Sequence, residues 1–245
     1  MNSKSGDLTD IPKETLSYKI LFYISIPMMV VALYLAFVWT PVEAVMGVVQ
    51  KIFYFHVASA WVAFFAFFVV ALFSILYLIK RNRIFDLYAG FSAEIGVVYT
   101  AIVLTTGPIW GRSSWNAWWS WEPRLTTTLI MFFMYIAYIM IRKMEGPWEK
   151  KARLASVFGI ISVINVPIVF MSIRWWNSRL HPVVFGEGAN EVGGGIEPSM
   201  LFALIFSVFT MTVVYFVLLQ KGVYIEKLKI HADRIKERMQ EKMLG

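Results

Sequence analysis

Apolar residues in this chain do not alternate with polar ones. They run on almost uninterrupted in six stretches, roughly 18–39, 52–79, 87–109, 125–141, 152–173 and 198–219. At about 1.5 Å per residue each stretch is long enough to cross a bilayer as a helix, and in lipid the helix satisfies its own backbone polar groups. The pattern therefore predicts an all-α integral membrane protein with six transmembrane helices. The first stretch is too long, and too far from a small-residue cleavage pattern, to read as a removable signal, so it counts as a span. The domain organisation expected is one six-span membrane domain over 1–220, with a tryptophan-rich outer segment at 110–125 and a charged cytoplasmic tail over 221–245. The tail mixes charges at helical spacing, as a solvated or membrane-skirting helix does. A composition that is 58% hydrophobic and 17% aromatic agrees with membrane residence.

Charge sets the orientation. Lys4, Lys13 and Lys19, then Lys80, Arg81 and Arg83, then Arg142, Lys143, Lys150, Lys151 and Arg153, and finally the bases from Lys221 to Lys242 fall on one set of loops. The other set holds Lys51, Arg112, Arg124, Arg174 and Arg179. By the positive-inside rule the first set and both termini are cytoplasmic, and the segment between spans three and four is outside. The net charge of +7 then belongs mostly to the inner loops and gives no reason to expect nucleic acid as a partner. With no cysteine, the chain has no thiolate metal site and no haem-attachment thiol of its own.

The stretch WGRSSWNAWWSWEPRL, from Trp110 to Leu125, concentrates aromatic surface. Trp110, Trp115, Trp118, Trp119 and Trp121 share this outer segment, Trp175 and Trp176 lie in the next outer loop, and Trp39 and Trp61 lie toward the outer side, leaving only Trp148 inside. An interfacial belt would populate both faces. Positions 115, 118 and 119 are expected on one helical face, with Pro123 in the first turn of span four. Together they would form a flat apolar shelf for a planar ligand. Two of the three histidines, His56 and His181, fall on the same side, and neutral imidazole is a normal axial ligand of haem iron. His231 lies in the tail and reads as a solvated side chain. Arg124, Arg174 and Arg179 suit haem propionates, or alternatively lipid phosphates; Arg112 reads as a lipid anchor, and Glu122 as an orienting carboxylate or a surface acid.

The segment WGRSSWNAWWSWEPRLT resembles the tryptophan-rich "WWD" signature of the haem-handling proteins of cytochrome c maturation. Within that superfamily the resemblance is greatest to the CcmC family of System I. YFHVASA around His56, INVP at Ile164–Pro167 and RWWNSRLH from Arg174 to His181 match the corresponding stretches in the same order. The resemblance implies His56 and His181 as axial ligands of haem b, carried as cargo, and Trp115, Trp118, Trp119 and Trp121 as its platform. It implies a bacterial cytoplasmic (inner) membrane location with the site on the periplasmic face. It also implies delivery to the haem chaperone CcmE, with the ABC-type subunits CcmA and CcmB and the small membrane subunit CcmD as further partners. Glu122 stands where the signature commonly has aspartate. The role implied is presentation of haem rather than conventional catalysis. Its rivals are a cytochrome c synthase, which resembles longer chains, and a haem-translocating permease subunit.

Three further features carry expectations. Asn165 and Pro167 in span five suggest a kink in which the asparagine bonds the loosened backbone of its own helix. Glu94 sits inside span three and reads as an inward-facing acid hydrogen-bonded to a neighbouring helix, with a proton or haem-propionate route as the alternative. The glycine-rich stretch 182–198 reads as an outer loop able to close over a ligand or meet the chaperone.

Overall fold

The computed structural model describes residues 11–44, 46–176, 181 and 196–244. The described residues are almost wholly helical, in the order α1 (Leu16–Tyr34), a π-helical turn (Leu35–Trp39), a 3-10 turn (Val48–Lys51), α2 (Ile52–Lys80), α3 (Arg83–Trp115), α4 (Pro123–Lys143), α5 (Trp148–Ser162), α6 (Asn165–Trp175) and α7 (Pro198–Leu244). Six spans are long and apolar enough to cross a membrane, with α1 and its π turn forming the first and α5 and α6 together the fifth. The chain is a multi-pass membrane protein.

Local chemistry sets the element ends. Thr15 caps α1 by accepting from the Tyr18 amide, and Asn82 caps α3 by accepting from the Ile84 amide. Arg81, in the left-handed conformation, ends α2, so only Arg81 and Asn82 separate α2 from α3. So short a connection makes the two helices an antiparallel hairpin at the centre of the bundle. α7 packs on both of them and carries α1 on its far side, while α5 lies on α2, and α4 closes against α3, α5 and α6.

The core between these helices is aromatic. Phe67 of α2 stacks on Tyr135 of α4 with ring centroids 3.5 Å apart, over Gly96 of α3, where a Cβ would lie 2.4 Å from the Phe67 ring. Ser92 donates to the Ala66 carbonyl at 2.7 Å and its oxygen lies 2.8 Å from the Tyr215 hydroxyl, tying α3 to α2 and α7. At the end of the bundle that holds the α2–α3 turn, Arg142 makes a bidentate pair with Asp86, joining the last turn of α4 to the first turn of α3.

Several expectations are corrected. The third span does not stop near residue 109 but continues as helix through Gly107 and Pro108 to Trp115. The fifth span is two helices. Pro167 has no N–H for the Val163 carbonyl, which accepts from Val166 instead at 3.0 Å. Asn165 does not bond its own helix: its amide donates to the Thr127 carbonyl of α4 at 2.9 Å. Lys51, one of the bases of the second set of loops, is buried, with Nζ donating to both oxygens of Thr40 and so capping the π turn. Glu94 is neither inward-facing nor bonded; it is exposed, with no partner among the described residues. The charged stretch from Lys221 is helical, as its charge spacing suggests, and forms the last part of α7, to Leu244.

Candidate haem site

The candidate site forms where the last turns of α3 meet the first turns of α4 and the second turn of α2. α3 ends at Trp115 because Asn116 takes a left-handed conformation (φ 58°), and the Arg112 guanidinium donates back to the Asn116 carbonyl at 2.8 Å. From there to Glu122 the backbone is irregular, so Trp115, Trp118 and Trp119 do not share a helical face as expected. They are nevertheless brought to one cleft, because the reversal at Asn116 folds the tryptophan segment back over α3. Gly111 permits the approach: a Cβ there would meet the Trp115 ring at 3.1 Å and the Ala117 carbonyl at 3.3 Å.

That cleft is open on one side and runs between α3 and the start of α4. Its walls include His56, Trp115, Trp118, Trp119, Arg124 and His181. A second, deeper pocket shares His56, Val103, Arg124 and Thr128 with it and runs on toward Met131 and Val169. His56 and Arg124 thus stand between the two spaces. Arg124 is also within electrostatic reach of Glu122 and Arg174.

Each histidine is held by its Nδ1. The Thr106 hydroxyl lies 2.8 Å from His56 Nδ1 and 2.7 Å from the Ile102 carbonyl. A hydroxyl has one proton, and with that proton given to Ile102 its oxygen accepts from His56 Nδ1–H. The Glu122 carboxylate accepts from His181 Nδ1–H. In both rings the nitrogen left with a lone pair is then Nε2, the state that second-shell hydrogen bonds impose on metal-binding histidines. The Trp115 ring meets the His181 ring edge-on at 5.1 Å and Trp110 at 4.9 Å, which fixes the plane of the imidazole.

The other expected site residues are arranged differently. Trp121 is 74% exposed and packs edge-on against Trp119 without lining the cleft, and Trp175 and Trp176 are likewise exposed and pack on each other. Arg174 lies over the Phe170 ring at 5.6 Å. Arg179 lies outside the described residues, as does nearly all of the stretch 182–198. Thr106 was not among the expected residues, although the sequence carries the signal for it. His56 lies 25 residues before Arg81 and Thr106 24 residues after Asn82. An antiparallel hairpin with a two-residue turn therefore brings them level.

The donor set suits haem. Among the described residues no group of three or more His, Cys, Asp and Glu could hold a bare metal ion. A pair of imidazoles on one cleft fits a metal already ringed by a macrocycle, which has at most two positions left to fill. The Trp119 indole N–H is buried with no acceptor among the described residues, and Arg124 adds a cation. Both suit a carboxylate-bearing, flat, apolar guest.

Comparison with known proteins gives the same direction. A family model described as "Heme exporter protein C" (CcmC) matches residues 10–239. A ccmC-like mitochondrial cytochrome c biosynthesis protein of Marchantia polymorpha is 33% identical over 190 residues, covering 76% of this chain and 79% of that protein. "Heme exporter protein C" of Bradyrhizobium diazoefficiens is 32% identical over 170 residues (69% of this chain, 63% of that protein), and that of Escherichia coli strain K12 is 30% identical over 184 residues (74% and 73%).

Proposed function

The chain belongs to the haem exporter protein C family, and from that premise we propose that it binds haem b as cargo at the outer face of the bacterial cytoplasmic membrane. There it presents the haem to the periplasmic chaperone CcmE for cytochrome c biogenesis. The observation that carries this reading is the pair of histidines on different elements, each anchored at Nδ1, that wall one tryptophan-lined cleft. The outer placement is supported by charge. The cleft lies at the end of α3 and α4 opposite Arg83, Arg142 and Lys143, which the positive-inside rule assigns to the cytoplasm. CcmA, CcmB and CcmD are the further partners this reading implies.

The chain's own residues bind, orient and shield. His56 and His181 would hold the iron through Nε2, Trp115, Trp118 and Trp119 would offer flat apolar surface, and Arg124 with the Trp119 indole N–H would receive carboxylate. The porphyrin itself supplies the reactive vinyl group, so the protein's task is to hold its plane in one orientation toward the chaperone.

The test is haem covalently attached to CcmE in cells expressing this chain, with and without an apocytochrome. A presenter loads the chaperone in both cases. Thioether-linked cytochrome formed by this chain with CcmE absent would replace presentation by synthesis.

A smaller effect reads Thr106 as a positioning residue. Thr106→Val removes the acceptor for His56 Nδ1–H and is expected to weaken haem retention by about 10- to 100-fold and to alter the axial-ligand bands, whereas Thr106→Ser keeps both near wild type. Equal loss in the Val and Ser variants would assign Thr106 to packing alone.

A further inference from the structure

Glu94 is left over by both the core and the cleft. Tyr88, six residues before it, shares an inner-end cleft with Lys13, Tyr18 and Lys221, and so marks the level of the inner interface on α3. Glu94 lies roughly 9 Å deeper along the helix. There it is exposed on the outside of the bundle, with no hydrogen bond or ion pair among the described residues. Val98 (59% exposed), Ile102, Thr105 and Ile109 follow it at intervals of four, four, three and four residues, which is one face of one helix. The Thr105 hydroxyl is turned back to the Ala101 carbonyl at 2.7 Å. The face is thus an apolar, mostly β-branched seam with one carboxylate at its inner end.

Hydrocarbon solvates a carboxyl group poorly, and acidic residues within spans face protein or water rather than lipid. The Cα–Cβ bond tilts toward the inner end of α3, but a glutamate side chain is too short to recover the whole of that depth. We propose that the Glu94–Ile109 face of α3 is the docking surface for a membrane-spanning helix of a different subunit, one that presents a lysine or arginine at the depth of Glu94. A second copy of this chain does not fit. A two-fold contact through this face sets Glu94 against Glu94, and the chain's lysines and arginines cluster at the two ends of its spans, leaving none at this depth.

The exposure of the seam makes the test direct. A photoreactive amino acid is placed at Val98 or Ile102 in the full chain, in membranes of its own cells, with Leu72 of α2, which is 53% exposed, as the control. The expected product at both seam positions, and not at Leu72, is an adduct whose linked peptide lies in an apolar span of another polypeptide with Lys or Arg within about one turn of the contact. Glu94→Gln lowers the yield roughly three- to thirtyfold, as loss of an intramembrane polar contact does. Glu94→Lys abolishes it, and exchanging the partner's base for glutamate restores it. Lipid adducts alone, an adduct with this same chain, a linked span lacking a base, or a yield unchanged in Glu94→Gln would each overturn the proposal. If Glu94→Lys does not fold, the identity of the linked peptide and the Glu94→Gln yield still decide. The inference stands apart from the haem reading, because chaperone loading is measured separately.

Discussion

The double variant His56→Ala, His181→Ala, purified in detergent, is expected to lose the Soret band of the wild-type protein. Each substitution removes one axial nitrogen, and no other histidine of the chain lines the cleft. Because an outer-shell partner of a metal ligand is already worth about 10- to 100-fold, loss of both ligands should weaken retention by more than about 100-fold. Each single variant should keep a weaker spectrum, and added imidazole should return it toward wild type by filling the vacated position. His231, in α7 far along the chain from the cleft, serves as the control, and His231→Ala leaves the band unchanged. A wild-type spectrum in the double variant would show that the histidines are not the ligands.

Parts of this arrangement are legible in the sequence because they depend on one-dimensional signals. The six apolar runs declare the spans, and the charge partition declares which helix ends belong together. Pro123 at the first helical position marks the start of α4 where expected. Trp115, Trp118 and Trp119 reach one cleft, but by a route that residue spacing does not reveal. Spacing predicts a helical face, whereas the Asn116 reversal, which depends on one left-handed residue and on Arg112 closing over it, is what gathers them. The tryptophan count cannot separate Trp115 and Trp119, which turn in, from Trp121, Trp175 and Trp176, which turn out, because indole suits a ligand wall and an interface equally. The orientation of Glu94 is hidden for the opposite reason. Burial of a lone acid is the ordinary solution within one chain, and only the packing of α3 shows that this chain offers it no partner among the described residues.

Breaking the Asp86–Arg142 pair should produce the largest loss of stability. The two side chains are only 9% and 20% exposed, and the guanidinium lies flat on α3, where a Cβ added at Gly90 would meet it at 2.6 Å, and over the Tyr138 ring at 5.9 Å. Asp86→Asn conserves volume but leaves a buried cation without its anion, a change that costs about 3–5 kcal/mol in comparable pairs. Removing both charges, as in Asp86→Asn, Arg142→Met, should recover much of that loss, since the penalty comes from the unpaired charge rather than from the absent bond. Thermal unfolding in detergent, or the amount of folded protein in membranes, measures the difference. Asp86 lies roughly 36 Å along α3 from Trp110, so haem absorbance per folded molecule should stay near wild type while yield falls. A double variant no more stable than Asp86→Asn would contradict the charge argument and leave packing of the Arg142 side chain against Gly90 and Tyr138 as the source of the stability.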